Sequence, residues 1–572
     1  MEEKWMEFWP KGMPRTIDYP VIPVGEIIKG SAHRFGNKTA IIYKEKEFSY
    51  QSLYEEALKF ANALKDNGFK KGDVIAIHMP NCPQYAIAYY GILLSGATFS
   101  PANPLLPPKD LAYQLNDCGA KAVVTWEQTA PNIKKVLLDT KLELAIVTGD
   151  TELTNEGIMD VSDEDGNWVS FNKFKEQGEA KELTIDINPK EDLAHIAYTG
   201  GTTGPSKGVL ISHYNVVVNV IQFNSWRSGH LPNATENGLM MEVPDSVNID
   251  EYPSKMGKDR LINLTPWFHA MGTVGYMNNP FLSGSTLILH QRFDPGLYLQ
   301  DAEKYKVTGM GGAPPIYVAL VRHPDFHKRD LSSITTISSG AAPLPVELIH
   351  LLKNRFPGVI VNEGYGLTEV TMGASSNPSF KSGVRKDGSV GIPVFDTEVK
   401  ICPLDGSFEA LPPREEGEIC VKGPQVMRGY YNKPEETAAV LKDGWLRTGD
   451  IGYMDEDGFI FIVDRKKDML IYKGYNVYPR ELEELLFKHP SVANAAVVGK
   501  PDMEVGEIPK AYVVVKSGEQ ITEQQLMDHV NEQVIPYKKI RELEFVDEIP
   551  VSAAGKVLKR VLRDREKSRS KA

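Results

Sequence analysis

At 572 residues, 42% of them hydrophobic, the chain can bury several cores and should divide into about three or four domains or subdomains. A net charge of −12 argues against general nucleic-acid binding. The four cysteines, Cys82, Cys118, Cys402 and Cys420, have neither metal-ligand nor disulfide spacing, which fits a reduced cytoplasm.

Met1 to Trp5 lacks the basic start and apolar core of a signal peptide. From 20 to 190 strands alternate with helices: strands at Ala40–Tyr43, Val74–Met79, Ala122–Thr125 and Leu144–Thr148, helices at Tyr50–Asp66 and Gln84–Ser95. This alternation predicts a largely parallel, helix-covered α/β sheet. Pro83 to Pro108 carries no charge, yet its helical part, Gln84–Ser95, covers only about 18 Å, short of a ~30 Å bilayer, so it reads as a buried helix and strand. The acidic stretch Asp150 to Gly166 reads as a surface loop.

Next comes Tyr198-Thr199-Gly200-Gly201-Thr202-Thr203-Gly204-Pro205-Ser206-Lys207-Gly208-Val209, flanked by apolar runs that predict strand, loop, strand. Glycines let backbone approach an anion, threonine hydroxyls donate, and Lys207 adds a positive charge, a combination suited to polyphosphate. A Walker A loop needs Ser or Thr directly after its lysine, and Gly208 stands there instead. Gly204 to Gly208 matches G-x-S-x-G, but a nucleophile elbow leads from its serine into a helix, and a strand is expected here.

Residues 226–259 are polar and rich in Pro and Asn, read either as a lid or oligomer contact or as a disordered surface loop. A second α/β run follows: Leu261–Thr265 leads into Pro266-Trp267-Phe268-His269, Ser285–Leu289 is a strand, and Gly309 to Pro315 is a turn before a helix. Strand Ile334–Ser338 enters Ser339-Gly340-Ala341-Ala342, and Val359–Val361 enters Asn362-Glu363-Gly364-Tyr365-Gly366-Leu367-Thr368-Glu369. Such junctions deliver small residues to the carboxyl edge of a sheet, where open α/β sheets bind ligands. His323 and His327 have helical ligand spacing, but Pro324 breaks the helix between them. From 388 to 463 short strands alternate with turns, Asp455–Gly458 among them, as in a small barrel-like subdomain; beyond it helices 479–488 and 523–534 mix with strands 495–499, 510–516 and 542–545 in a compact α+β domain.

Five signatures in this order, Tyr198 to Gly208, Gly364 to Glu369, Trp445 to Asp450, Asp464 to Glu483 and Pro550 to Lys556, resemble the adenylate-forming superfamily of acyl-CoA synthetases, luciferases and peptide-synthetase adenylation domains. The resemblance implies an adenylation domain over 1–463, with α/β subdomains at about 20–190 and 191–387 and a barrel-like one at about 388–463. A hinge at 464–469 and a mobile α+β lid domain at 470–572 complete it.

It also implies two half-reactions, in which a carboxylic acid, most simply a fatty or other aliphatic one, is activated by ATP as acyl-AMP and then passed to coenzyme A. Thr199 to Lys207 would hold the β- and γ-phosphates, with Gly200, Gly201, Thr202, Thr203 and Gly204 in the cradle; Thr368 would contact the α-phosphate; Glu369, assisted by Thr199, would hold Mg²⁺. Tyr365 would stack on adenine over Gly340, Ala341 and Ala342, beside Glu363, Gly364 and Gly366, and Asp450 and Arg465 would take the ribose. Lys556 would bridge the carboxylate and α-phosphate oxygens during adenylation. Lys467 matches the hinge; Lys473, Gly474 and Tyr475 match the pantetheine path; and Trp267, His269, Met271, Gly272 and Gly311 match the acyl pocket. A carrier protein as acceptor is the nearest alternative, the absence of an appended carrier domain favouring CoA, and a serine esterase at Ser206 is a remote one. Nucleic acid is not an expected partner, while oligomeric state and peripheral membrane contact stay open.

Overall fold

The computed structural model describes residues 4–153, 157, 159–161, 167–199, 206–340, 344–502, 504–551 and 557–569. They form a large N-terminal sheet-rich α/β unit, residues 4–199, 206–398 and 421–446, and a smaller unit, 399–420 and 447–569, that ends in an α+β domain.

The large unit contains an eight-stranded and a nine-stranded sheet. In the first, Val74–His78, Thr98–Pro101, Ala120–Trp126, Leu144–Thr148 and Trp168–Ser170 run parallel, and Leu193–Tyr198 joins beside Phe99. In the second, Thr39–Tyr43, Thr286–Leu289, Arg260–Asn263, Gly309–Gly312, Thr336–Ser339 and Ile360–Tyr365 run parallel. Parallel strands are covered on both faces, which is why Val74–His78 is buried at every residue instead of alternating. Helix Tyr50–Asp66 begins where the sequence places it because Ser49 accepts the Ser52 N–H at 3.1 Å and caps the first turn.

Helix Pro83–Leu94 is buried along its whole length. Its tyrosines bridge the two sheet systems: Tyr85 donates to the Trp267 carbonyl at 2.9 Å and Tyr90 to Asn278 Oδ1 at 2.8 Å. The uncharged run is thus a central core helix; among the described residues no helix is long and apolar enough to cross a membrane.

Three local expectations change. Gly309–Gly312 is a strand, not a turn; a methyl at Gly309 would lie 2.7 Å from Thr336 Oγ1 and 2.8 Å from Leu261, so glycine there reflects crowding by neighbouring strands. In the acidic stretch after Asp150, Glu152 is buried and accepts the N–H groups of Phe171 and Asn172, each at 3.2 Å. The 226–259 segment is not a loose loop: Leu231–Thr235 and Gly238–Glu242 form a hairpin against helix Gly25–Phe35. The approach is backbone to backbone, since a methyl at Gly30 would lie 2.0 Å from the Leu239 carbonyl oxygen.

In the smaller unit, strands Val492–Asp502 and Gly506–Val515 pair antiparallel, with Leu470–Tyr472 and Glu542–Phe545 also on Gly506–Val515. Alternate side chains point to opposite faces. Ala495, Val497, Ala511 and Val513 pack with Leu482, Leu486, Leu526 and Val530, whereas Ala496, Val498 and Tyr512 pack with Ile549 and Leu562. Period two therefore dresses the sheet with helices 479–487 and 523–531 on one side and the terminal helix Lys559–Arg569 on the other.

Candidate functional site

In the large unit, strand Leu193–Tyr198 delivers Thr199, whose N–H donates to the Lys207 carbonyl at 3.1 Å and closes the hairpin around the threonine-glycine loop. Gly200, Gly201, Thr202, Thr203 and Gly204 lie outside the described residues. The loop is tied at both flanks: Tyr198 donates to Asp117 at 2.6 Å and Tyr113 to the Ser206 carbonyl at 3.1 Å. Strand Gly208–Ser212 follows Ser206 almost at once, so the helix that a nucleophile elbow requires is not there.

The parallel strands ending at Gly312, Ser339 and Glu363 are in register, which places Gly340 and Glu363 to Tyr365 at one carboxyl edge. Gly340 donates to the Gly312 carbonyl at 3.3 Å, and buried Glu363 accepts the Leu344 N–H at 2.9 Å; Ala341 and Ala342 lie outside the described residues. Strand Ile360–Tyr365 runs farther than expected, carrying Gly364 and Tyr365 into pairs with Ser376 and Ser375. At Gly366 a methyl would meet the Met372 carbonyl oxygen at 1.8 Å. Thr368–Val370 is a single 3₁₀ turn, after which Thr371 takes φ +66, a strained value for a β-branched residue. Its hydroxyl donates to the Gln425 carbonyl at 2.7 Å, which helps hold that geometry beside Glu369.

Residues 427–431, which the sequence reading did not single out, join both parts of this site. The Met427 N–H donates to the Glu369 carbonyl at 2.8 Å, and the Tyr431 N–H to the Gly208 carbonyl at 2.7 Å. Between them Tyr430 pairs with Val209, donates its hydroxyl to Glu369 Oε1 at 2.9 Å, and has the Lys207 ammonium 4.8 Å from its ring centre.

Around the expected acyl pocket, Trp267 is a fully buried core residue whose Nε1 has no acceptor among the described residues; its backbone N–H donates to Asn81 Oδ1 at 2.8 Å. His269 is half-buried and its ring lies 5.1 Å from that of Phe268. Met271 opens a π-helix, Met271–Asn278, a widened turn found often at functional sites. Gly272 packs on the Pro266 carbonyl, 1.9 Å from where a methyl would sit, while the Met271 sulfur approaches Gly340. Gly311 faces Tyr276, whose ring would be 2.2 Å from a methyl there. Phe223 against Gly373 and Met372 against Gly275 continue this apolar wall. Sequence periodicity could not find Tyr276 or Phe223, because their roles depend on which glycine each one meets. Among the histidines, His323 ends helix Pro314–Arg322 and accepts the Asp325 N–H at 3.2 Å, a capping role.

In the smaller unit Asp450 is buried and pairs across adjacent strands with Arg465, Oδ1 to Nε 3.2 Å. The bend before Asp450 is fixed by Glu418, a carboxylate the sequence did not flag. It accepts Arg447 Nη2 at 2.6 Å, Lys466 Nζ at 3.0 Å and the Gly449 N–H at 3.0 Å. Burial pushes the Glu418 carboxyl up, but hydrogen bonds from Arg447 and Lys466 outweigh it and hold the group below its ordinary value. Lys467 is exposed and its carbonyl accepts from Arg563 at 3.1 Å, next to an Arg563–Asp468 ion pair of 2.9 Å. Lys473 and Gly474, φ +49 and +84, make a two-residue hairpin turn in open space, so the turn itself demands the glycine. Tyr475 is exposed and stacks on Tyr537 at 4.6 Å. Lys556 lies outside the described residues.

Two helix-covered parallel sheets followed by an α+β domain fit an AMP-binding enzyme, and the chain belongs to that family. The model of the AMP-binding enzyme matches residues 28–431 and that of its C-terminal domain residues 481–556. The chain is 37% identical over 578 aligned residues to a long-chain-fatty-acid–CoA ligase of Bacillus subtilis, covering 99% of this chain and 98% of that one. Among solved structures it is similar to the anthranilate CoA ligase AuaEII in complex with anthranoyl-AMP, with TM-score 0.83, 27% identity and coverage of 97% and 99%. It is also similar to ATP-bound MatB from Rhodopseudomonas palustris, with TM-score 0.82, 28% identity and coverage of 96% and 99%.

Proposed function

We infer that this chain is an AMP-forming acid–thiol ligase, an acyl-CoA synthetase that uses ATP and coenzyme A. A carboxylate oxygen attacks the α-phosphorus of ATP and pyrophosphate leaves; the CoA thiol then attacks the acyl carbonyl and AMP leaves. The observation that carries this reading is the joining of Lys207 and Glu369 through residues 427–431, at the edge that presents Gly340 and Glu363 to Tyr365.

In adenylation the chain must counter charge on phosphoryl oxygens. Lys207 and the Thr199 to Gly204 loop take the β- and γ-phosphates, Thr368 the α-phosphate, and Tyr365 stacks on adenine above Gly340 to Ala342. Asp450 accepts from the ribose hydroxyls with Arg465 in support, and Lys556 neutralises the attacking carboxylate and α-phosphate together. Among the described residues no three His, Cys, Asp or Glu side chains cluster as a metal cage. Mg²⁺ carried on ATP phosphates needs only one or two protein carboxylates, so Glu369, with Thr199, fits that role. The ion, when bound, supplies charge neutralisation on the phosphates.

Residues 464–469 serve as the hinge, with Lys467 at its centre, and the α+β domain from 470 moves between half-reactions so that Lys556 gives way to the thiol, which enters past Lys473, Gly474 and Tyr475. The strands of about 388–463 form the barrel-like subdomain, and the enzyme works in the cytoplasm. The apolar wall of Phe223, Met271, Tyr276 and Met372, beside Trp267, His269, Gly272 and Gly311, suits an aliphatic acid, as does the likeness to the Bacillus subtilis long-chain-fatty-acid–CoA ligase.

The test is acid-dependent ATP–pyrophosphate exchange across straight-chain acids of graded length, followed by CoA-dependent release of AMP. Lys556→Ala should abolish exchange while ATP binding persists. Exchange that ignores the acid, or acyl transfer without ATP, would defeat the reading.

A further inference from the structure

Tyr430 stands where two separately encoded charges meet. Lys207 leaves the threonine-glycine loop at the head of strand Gly208–Ser212, and Glu369 sits on the turn after strand Ile360–Tyr365. These elements belong to different sheets, so nothing in either strand fixes the distance between the ammonium and the carboxylate. The two-residue strand Gly429–Tyr430 supplies that link. It pairs antiparallel with Gly208–Ser212 through Gly429↔Leu210 and Tyr430↔Val209, while the adjacent Met427 N–H holds the Glu369 carbonyl at 2.8 Å.

The backbone of Tyr430 is itself restrained. Its N–H donates to Thr437 Oγ1 at 2.9 Å, and Gly429 before it takes φ +142 beside the same threonine. From this fixed base the side chain offers two different groups. Its ring face attracts the Lys207 ammonium, 4.8 Å from the centroid, through the negative quadrupole of the π-system. Its hydroxyl donates to Glu369 Oε1 at 2.9 Å and so fixes the direction in which the carboxylate points. Lys207 and Glu369 have opposite charges and distinct proposed duties, one toward phosphate oxygens and one toward a metal ion. Each must be kept extended toward its own ligand, because a mobile lysine and glutamate spend ordering entropy at every binding event.

We propose that Tyr430 is a positioning residue that sets the spacing between the polyphosphate-binding Lys207 and the metal-binding Glu369, holding the first by its ring and the second by its hydroxyl. This rests on the nucleotide roles proposed above for those two residues. The two halves of the side chain can be removed separately. Tyr430→Phe keeps the ring and loses the hydroxyl, so it should loosen Glu369 alone. Tyr430→Leu loses both and should release Lys207 as well.

The experiment measures equilibrium ATP binding by the full-length protein without any acid substrate, in EDTA and across a Mg²⁺ titration, with AMP binding as reference and Glu369→Gln in parallel. Removing one hydrogen bond to a charged group changes affinity by about tenfold. Tyr430→Phe should therefore raise the Mg²⁺ concentration that half-saturates the metal-dependent gain in ATP affinity about tenfold, leaving AMP affinity and metal-free ATP affinity within about twofold of wild type. Tyr430→Leu should show that shift and also weaken metal-free ATP binding by several-fold, again sparing AMP. A Tyr430→Phe protein with the wild-type Mg²⁺ midpoint, while Glu369→Gln has lost it, would overturn the inference and leave the role of Glu369 standing. Loss of AMP and ATP affinity in equal ratio in Tyr430→Phe would show a merely structural role and overturn it too. If Glu369→Gln itself keeps the wild-type midpoint, the underlying metal assignment fails, and the role of Tyr430 with it. Tyr430→Phe preserves packing volume, so the test holds even where Tyr430→Leu does not fold.

Discussion

Asp450 and Arg465 face each other across adjacent antiparallel strands, with Oδ1 3.2 Å from Nε. Asp450 is buried while Arg465 keeps substantial exposure. In the role proposed for it, Asp450 accepts from the two ribose hydroxyls. Asp450→Asn keeps the shape but replaces one acceptor oxygen by a donor and removes the charge. Hydrogen bonds to a charged group contribute about 1.5–3 kcal/mol, so AMP affinity should fall by about 10- to 100-fold. Calorimetric titration with AMP checks this, and 2′,3′-dideoxy-AMP should bind both proteins alike.

Glu418 is nearly sealed from water, with 5% side-chain exposure, and serves Arg447, itself 6% exposed, together with Lys466. Glu418→Gln would leave the buried guanidinium without its counter-charge, and breaking a buried pair in this way costs about 3 kcal/mol. The pH dependence has a definite sign. The folded-state value lies below the ordinary 4.5, so this contribution is fully present above about pH 4.5 and is lost as pH falls through the folded value. Urea midpoints measured from pH 7 down to pH 3 should therefore drop in the wild type below about pH 4.5, with a shallower drop in Glu418→Gln. Equal slopes in the two proteins would refute the linkage.

Gly30 carries the next prediction. Its Cα meets the Leu239 carbonyl so closely that even a methyl would lie 2.0 Å from that oxygen. Gly30→Val must push the 231–242 hairpin off helix Gly25–Phe35, and overpacking of this kind costs about 1–3 kcal/mol. The urea midpoint should fall while acyl-chain preference stays unchanged, because the displaced contact lies on helix Gly25–Phe35, which supplies no residue of the proposed acyl pocket. A changed acid preference at unaltered stability would support the lid reading of this segment.

What could be read from the chain and what could not follow one division, between local and long-range causes. The Tyr50–Asp66 helix and its Ser49 cap lie within a few residues of each other, and the parallel sheets announce themselves through continuous apolar runs such as Val74–His78. The strand from Leu193 to Tyr198 and the strand after Lys207 were legible from their apolar runs, whereas the extension of the next sheet's strand through Gly364 and Tyr365 was not, because it depends on pairing with Ser376 and Ser375. Glu418, Tyr276 and Tyr430 were not. Their partners are 29, 35 and 61 positions away or more, and no spacing rule links a glutamate to the arginine it meets only after two strands have paired. Gly309–Gly312 misled for a related reason: a run of glycines reads as a turn until neighbouring strands show that they leave no room for side chains. The 226–259 segment looked polar and loose because its two key apolar residues, Leu239 and Met241, are few and alternate within one short strand.

The acyl wall gives the last prediction. Tyr276 projects from the π-helix Met271–Asn278 onto Gly311, and the same π-helix brings the Met271 sulfur toward Gly340 at the nucleotide edge. The proposed acyl wall and the proposed adenine slot thus share one element, so a change at Tyr276 should alter acid selection without touching ATP. Tyr276→Ala removes a phenol ring and opens space beside Gly311. Each methylene newly accommodated contributes about 0.8 kcal/mol, close to fourfold in kcat/KM. The ratio of kcat/KM between long and short straight-chain acids should therefore rise by about fourfold per added methylene until the new space is filled, with KM for ATP within about twofold of wild type. Gly311→Ala works in the opposite sense, since its methyl must displace the Tyr276 ring, and it should favour shorter acids. A chain-length profile that moves in neither variant would show that the acyl group lies elsewhere, and a profile that moves the same way in both would show that Tyr276 and Gly311 do not face each other across the acyl path.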